Sequence, residues 1–179
     1  MAQTALEITA VPLRPIDKEG LLALAEGGKA DPSAVKTAKC RTVLEGQFRH
    51  LNYIRNLPPH VIDEPPQLLG EDTAPNPTEA VLAALGTCLS VGIQANATAR
   101  DIALTRLEIE LEGDINITAV WGVGDLSEKR LGVSAIRARV EVEGDASRAE
   151  LDEIVAHATK WSPVANTLIN PVELSVTSA

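Results

Sequence analysis

The sequence predicts an α+β fold, because stretches with strand periodicity and stretches with helix periodicity are partly segregated along the chain. A hairpin is predicted from Val35 to Arg55, and two long strands are predicted between Leu104 and Glu143. A nearly uncharged helix lies between these two regions, and a second helix follows them. This order is typical of α+β proteins rather than of a doubly wound parallel sheet.

The first part of the chain is predicted to be an appendage. Asp17 can cap a short helix over residues 18–26, and Gly27 together with the next glycine is expected to end it. We therefore expect residues 1–34 to form an N-terminal extension with a short helix, and residues 35–179 to form the main domain.

The central helix has the clearest start signal in the chain. Residues 57–77 are rich in proline, which predicts a stiff extended connection with a possible short strand at 61–63. Asn76 is the expected N-cap and Pro77 the first helical residue, with the helix reaching about Ala99. Because this helix is almost uncharged, we expect it to be buried on most sides, which favours a dimer that covers it.

The second half of the chain alternates apolar and charged residues. Strands are predicted around 104–117 and 136–143, with their outward charges forming cross-strand pairs. Ser147 and Glu150 form a capping box that opens the second long helix. Residues 172–176 are predicted to form a last strand.

Charge and cysteine content exclude several classes of function. The formal net charge of −9 disfavours nucleic-acid binding. There is no uninterrupted apolar run of about 18 residues and no secretory signal, so we expect no membrane partner and a cytoplasmic location. Metal ligation and a bound cofactor are not expected, because Cys40 and Cys88 stand apart and the histidines are isolated. The histidines are His50, His60 and His157.

A longer motif surrounds Cys88. It contains DEP at residues 63–65, Gly70 and the run PNPTEAVLAALGTC at residues 75–88. This proline-rich lead, helix start and cysteine resemble the OsmC family, which includes osmotically inducible and organic hydroperoxide resistance proteins. A weaker likeness continues to WSPV at residues 161–164, where family members often carry Cys-Pro-Val. The resemblance covers roughly residues 35 to 179.

The resemblance implies an intertwined homodimer in which two central helices pack against antiparallel sheets, with two sites at the subunit interface. In the hydroperoxide-reducing members a thiolate attacks the O–O bond. The sulfenic acid that results condenses with a second cysteine, and a dithiol reductant resets the pair. An arginine and a glutamate near the first cysteine stabilise its thiolate and position the substrate.

By the same resemblance, Cys88 matches the reactive cysteine. Glu79 matches the acidic position of many family members, although the hydroperoxide-resistance branch has its glutamate where this chain has Thr78. Arg49 and Arg55 are the nearest candidates for the thiolate-stabilising arginine. Their alternative role is that of solvated strand charges.

Ser162 occupies the position of the second cysteine. Because a hydroxyl cannot form a disulfide, an oxidised Cys88 would be resolved by Cys40, by a small thiol or by a partner protein. An external thiol reductant is therefore an expected partner, and Trp161 is expected to form a pocket wall.

These residues are consistent with three alternative functions. The first is a single-cysteine hydroperoxide reductase (a peroxidase) that acts in oxidative stress defence through Cys88 and Glu79. The second is a non-catalytic small-molecule-binding or scaffold protein on the OsmC fold, in which Glu79 only caps the helix with Asn76. The third is another thiol reaction, in which Cys88 accepts an electrophile or a persulfide.

Overall fold

The computed structural model describes residues 13–119, 121–122 and 131–178, so the first twelve residues of the predicted extension lie outside the described ranges. The helices are α1 (Lys18–Ala30), α2 (Pro77–Ala99), α3 (Arg148–Trp161) and α4 (Pro163–Ile169). The strands are β1 (Arg41–Gly46), β2 (Arg49–Tyr53), β3 (His60–Ile62), β4 (Leu104–Ile115) and β5 (Val133–Gly144). Helices combined with antiparallel sheet confirm the α+β prediction.

The chain separates into two compact units. The first contains the described residues of Met1–Ala30, Leu85–Leu111 and Ala138–Ala179, and the second contains those of Asp31–Ala84 and Glu112–Arg137. Helix α2 and strands β4 and β5 each contribute residues to both units. The predicted domain boundary at residue 35 stays a prediction.

The core of the first unit lies between the second part of α2, helix α3 and the sheet of β4 and β5. Ser147 and Glu150 form the predicted capping box at the start of α3. A Cβ atom on Gly92 would lie 3.0 Å from the Cβ of Ala158, so a small residue at this position permits the close approach of α2 and α3. The buried members of this core are Ile93, Ala97, Leu104, Val142, Leu151, Ile154 and Ala158.

Helix α1 extends further than the sequence predicts. The Asp17 carboxylate accepts a hydrogen bond of 3.1 Å from the backbone N–H of Glu19, as expected for a cap. The predicted stop at Gly27 and Gly28 is wrong, since the helix continues to Ala30. Glycine lowers helix stability without forbidding the conformation.

The second unit contains a three-stranded antiparallel sheet in the order β1-β2-β3. The predicted hairpin and the short third strand are confirmed. Val43 pairs with Leu51, and the register shifts between Leu44 and Gly46. Strand β1 begins only at Arg41, so Cys40 precedes the strand rather than lying within it.

The connection between β3 and α2 is not the stiff extended segment that its prolines predict. Asp63, which is fully buried, closes a compact loop instead. Its carboxylate accepts hydrogen bonds from the Thr73 hydroxyl (2.7 Å), the Thr73 backbone N–H (3.0 Å) and the Glu64 backbone N–H (2.8 Å). Its own N–H donates to the carbonyl of Pro75. Prolines keep this segment out of a sheet, but they do not prevent it from folding around a buried acceptor.

The charged outer positions of β4 and β5 form the expected cross-strand pairs. In the first unit, Arg106 contacts Glu141 at 2.6 Å. In the second unit, Arg137 binds Asp114 through two hydrogen bonds of 2.6 and 2.8 Å. These exposed pairs belong to the sheet surface and add little to stability individually.

The C-terminal segment differs from its prediction. Pro163 is the first residue of α4, a short helix that the sequence analysis did not predict. The predicted strand at 172–176 is wrong for the described chain, in which these residues are exposed and pair with no described strand. Alternation alone cannot make a strand, because a strand needs a hydrogen-bonding edge beside it.

Helix α2 is less buried within one chain than expected. An 18-residue window of this helix has a mean hydropathy of 1.5, yet only 22% of the window is buried. Its length and composition are sufficient for a membrane span, contrary to the sequence expectation, although the central helix of a soluble protein passes the same test. Val91, on this helix, is 62% exposed.

The buried carboxylate of Asp63 predicts a pH-dependent loss of stability. The hydrogen bonds from the side chain and the backbone of Thr73 lower the pKa of Asp63 from 3.8 to about 2. A lowered pKa stabilises the fold above the ordinary value, and this contribution is lost as the pH falls through the folded-state value. Asp63→Asn should therefore unfold at lower urea concentration than the wild type at neutral pH, and the difference should shrink between pH 3.8 and about 2.

The matched control is Asp72→Asn, an exposed position in the same loop. Urea unfolding of the three proteins over a pH series measures the effect. A gap between wild type and Asp63→Asn that stays constant as the pH falls would contradict the assignment.

Candidate functional site

Cys88 and Ser162 lie side by side in the first unit. The Ser162 hydroxyl donates a hydrogen bond of 3.1 Å to the sulfur of Cys88, across 74 positions of sequence. Ser162 is only 3% exposed, whereas Cys88 is half-buried. The two residues that the resemblance matches to the family's two cysteines are thus in direct contact.

The direction of the Ser162 hydroxyl is fixed by its place between two helices. Its backbone N–H donates to the carbonyl of Thr159 and ends α3, while its hydroxyl oxygen accepts a hydrogen bond of 3.1 Å from the N–H of Ala165 and begins α4. Because a hydroxyl has a single proton, accepting from Ala165 leaves that proton free to point at the sulfur. The two helix ends thereby orient the donor.

Trp161 stands beside Ser162 but is 67% exposed. Its ring lies 6.2 Å from the ring of His157, and the ammonium group of Lys160 lies 5.6 Å from its centroid. Two cavities in the described part of the chain, one in each unit, are lined by other residues and not by Trp161. Its role as a pocket wall stays a prediction.

The two candidate arginines differ in their surroundings within the second unit. Arg49 forms an ion pair of 2.8 Å with Glu45 and donates a hydrogen bond of 2.6 Å to the Thr73 hydroxyl. Through Thr73 it is linked to the carboxylate of Asp63. Arg55 lies in the turn after β2 with a φ of 53° and is exposed. The proposed action of either arginine on a thiolate stays a prediction.

Glu79 performs the helix-capping role that the sequence analysis gave as its alternative. Its carboxylate accepts a hydrogen bond of 2.8 Å from the N–H of Asn76, and its own N–H donates to the Asn76 side chain at 2.9 Å. These reciprocal bonds confirm the capping box. A catalytic role for Glu79 stays a prediction.

Glu64 is a residue whose environment the sequence analysis missed. Burial raises the pKa of Glu64, and the negative charges of Glu79 and Asp63 raise it further, against the opposing effect of His50. Its Oε2 atom is buried and has no hydrogen-bond partner among the described residues. The carboxylates of Asp63, Glu64 and Glu79 therefore lie near one another at the start of α2. The sequence analysis named Glu79 and the motif DEP at 63–65, but it did not predict that they cluster.

Cys40 is exposed and lies at the edge of a groove of about 420 Å³ in the second unit. One face of the three-stranded sheet and the first turn of α2 line this groove. A resolving role for Cys40 stays a prediction. The other lining residues are Thr42, His50, Asn52, Ile54, His60, Ile62, Pro77 and Ala80.

The contact between Ser162 and Cys88 predicts that Ser162→Cys will create a disulfide. Sulfur and oxygen already lie 3.1 Å apart, and a small shift brings two sulfurs to bonding distance. In a Cys40→Ser background, mild oxidation should consume both remaining thiols, and the bridge should stabilise the fold by roughly 2–4 kcal/mol. Thiol titration and thermal unfolding with and without reductant measure these effects. Two thiols that stay free after oxidation would contradict the geometry, and Ser162→Ala in the same background is the control.

Comparison with solved structures identifies similar folds. An OsmC-like protein from Mycoplasma pneumoniae has a TM-score of 0.63 at 20% identity, covering 75% of this chain and 89% of that one. An OsmC-like protein of unknown function from Vibrio cholerae has a TM-score of 0.61 at 13% identity, covering 74% and 94%. The organic hydroperoxide resistance protein OsmC from Legionella pneumophila has a TM-score of 0.57 at 20% identity, covering 76% and 92%. At sequence identities of 13–20%, these similarities show that the proteins share a fold.

Sequence comparison gives the family. No curated protein matches the chain in sequence. The family model for OsmC-like proteins matches residues 70–177, which is more than half of the chain and includes both Cys88 and Ser162. The resemblance stated from the motif around Cys88 is thereby confirmed, and the chain belongs to the OsmC-like family.

Proposed function

We propose that this protein reduces organic hydroperoxides through the single thiol of Cys88, with an external thiol as reductant, as part of oxidative stress defence in the cytoplasm. The observation that carries the proposal is the hydrogen bond from Ser162 to Cys88. This hydrogen bond supports a site arranged like a two-cysteine centre, in which the oxygen of Ser162 stands where the second sulfur would be. Family membership and the Legionella pneumophila relative, an organic hydroperoxide resistance protein, support the substrate class.

The first step is oxidation of Cys88. Its thiolate attacks the outer oxygen of the hydroperoxide, so an S–O bond forms as the O–O bond breaks. The alkoxide that leaves takes up a proton and departs as the alcohol. Cys88 is oxidised by two electrons to sulfenic acid, and the hydroperoxide is reduced by the same two electrons. The Ser162 hydroxyl stabilises negative charge on the sulfur as a hydrogen-bond donor.

The second step needs an external thiol, because Ser162 cannot become the other half of a disulfide. A small thiol attacks the sulfenic acid, which forms a mixed disulfide on Cys88 and releases water. A second thiol then attacks the mixed disulfide and regenerates the Cys88 thiol. In sum, one hydroperoxide and two thiols give one alcohol, one disulfide and one water. The proposed step requires access of the small thiol to the sulfur, and the partial exposure of Cys88 supports it.

A second candidate is a non-catalytic binding or scaffold protein on the same fold. Two points favour it: by the resemblance, Ser162 stands at the position of the second cysteine, and Arg49 is already engaged by Glu45 and Thr73. On this reading the Ser162 hydroxyl fixes the position of Cys88 without any chemistry. The two candidates differ in whether the sulfur of Cys88 reacts with a hydroperoxide.

The partner that we propose for the folded chain is a second copy of itself. Helix α2 is strongly apolar but exposes large side chains within one chain, and Val91 is 62% exposed. Covering an apolar helix face with the same face of another subunit is the usual solution in a two-fold dimer.

Intact-mass spectrometry after one equivalent of cumene hydroperoxide tests the enzymatic proposal. Cys40→Ser should gain the mass of one oxygen atom on Cys88, and added glutathione should convert this product into a mixed disulfide. Cys88→Ser should consume the hydroperoxide no faster than buffer does. An unmodified Cys88, with equal hydroperoxide consumption by Cys88→Ser and wild type, would favour the non-catalytic candidate. A disulfide between Cys40 and Cys88 in the wild type would overturn external resolution.

Analytical ultracentrifugation tests the dimer. The wild type should sediment at roughly twice the 19.0 kDa mass of one chain. Val91→Glu places a charge on the exposed face of α2 and should shift the population towards monomer. Leu24→Glu makes the same type of change at an exposed position of α1 and should leave the mass unchanged. A monomeric wild type would refute the proposal.

A further inference from the structure

The sulfur of Cys88 and the first turn of α4 share one hydroxyl group. The Ser162 hydroxyl donates its proton to the sulfur, and its oxygen accepts the backbone N–H of Ala165 as the side-chain N-cap of α4. Both hydrogen bonds have a length of 3.1 Å. A change at the sulfur that moves this hydroxyl therefore also changes the start of α4.

Helix α4 depends on this cap more than a longer helix would. It has seven residues, and none of them is buried in the described part of the chain. An isolated helix of this length is not stable in water, so contacts with its surroundings must hold it. The side-chain amide of Asn166 provides one such contact, because it donates to the carbonyls of Lys160 and Ser162 at the end of α3. The order of the first turn of α4 therefore depends strongly on the Ser162 cap.

The acceptor strength of the sulfur decides where the Ser162 proton points. Ser162 is 3% exposed, so water offers its hydroxyl little alternative, and among the described residues the proton is donated to Cys88. A thiolate is a charged acceptor and binds this proton well. The sulfur of a disulfide is uncharged and accepts only weakly. A buried hydroxyl that loses its acceptor costs free energy, which favours its rotation towards another acceptor.

We propose that α4 is a redox-sensitive element, in which a mixed disulfide on Cys88 turns the Ser162 hydroxyl away from Ala165 and releases the first turn of α4. This inference rests on the proposed function, which forms the mixed disulfide in its second step. There the sulfur of a small thiol bonds to the sulfur of Cys88 as the S–O bond of the sulfenic acid breaks, and the oxygen leaves as water. Reduction by a second thiol restores both the Cys88 thiol and the cap.

The consequence of this release lies in the C-terminal segment. Helix α4 leads directly into residues 171–178, and the apolar side chains of Ile169, Val172 and Leu174 are 77%, 64% and 84% exposed. Release of the first turn of α4 allows this segment to move relative to α3. A surface with exposed apolar side chains is thereby coupled to the chemical state of one sulfur atom.

Methyl methanethiosulfonate tests the coupling without any hydroperoxide. In a full-length Cys40→Ser background, the Cys88 thiolate attacks the reagent, an S–S bond to its methylthio group forms, and methanesulfinate leaves. Intact-mass spectrometry verifies that one methylthio group has been added. Amide hydrogen exchange followed by ¹H–¹⁵N NMR should then show that the amides of Ala165 and Asn166 lose protection by roughly fivefold, which is the typical effect of losing an N-cap. Dithiothreitol should restore the protection.

The amide of Glu150 is the internal control. It donates to the hydroxyl of another capping serine, Ser147 at the start of α3, and its protection should not change. Ser162→Ala in the same background should show low protection of the two α4 amides both before and after the treatment.

The proposal is overturned if methylthiolated Cys88 leaves the two α4 amides fully protected, if Ser162→Ala still responds to the reagent, or if the reagent does not modify Cys88. The comparison of treated and untreated protein with Ser162 in place decides the matter even if Ser162→Ala fails to fold. A hydroperoxide that leaves Cys88 unmodified would count against the proposed function alone, because the thiosulfonate forms the mixed disulfide without it.

Discussion

The hydrogen bond between Ser162 and Cys88 depends on how closely α2 approaches α3. Gly92 lies one turn after Cys88, and Ala158 lies one turn before Ser162. A Cβ at position 92 would be only 3.0 Å from that of Ala158, so the two helices meet almost backbone to backbone at this level. The buried side chains of Ile93 on α2 and Ile154 on α3 belong to the core between these two helices. A larger residue at position 92 would separate the helices and move the hydroxyl away from the sulfur, although neither Cys88 nor Ser162 had changed.

The main elements and the pair at the centre of the site were predictable, for different reasons. Helix α2 and the capping box of α3 follow from local signals, because a cap and its partner are three residues apart. The meeting of Cys88 with Ser162 spans 74 positions, and no local pattern contains it. Only the resemblance to a family with two cysteines at these positions related them to each other.

What the sequence did not predict depends on contacts between distant residues. The loop after β3 folds around the carboxylate of Asp63, whose main donor, Thr73, is ten residues away. Residues 172–176 have the alternation of a strand, but pairing requires an edge that the described chain does not offer them. The contacts of Arg49 could not be predicted from the sequence either, because its link to Asp63 passes through the hydroxyl of Thr73.

A serine at position 162, in place of a second cysteine, determines how the sulfenic acid of the proposed reaction could be resolved. The hydroxyl of Ser162 is smaller than a thiol, but it contacts the sulfur of Cys88 and is fixed between the ends of α3 and α4. Two neighbouring thiols resolve a sulfenic acid within one molecule, with the advantage of a high effective concentration. Without the second thiol, resolution in the proposed reaction would be bimolecular, because the thiol must come from another molecule. In the proposed reaction, the lifetime of oxidised Cys88 would therefore depend on the concentration of free thiol in the cell.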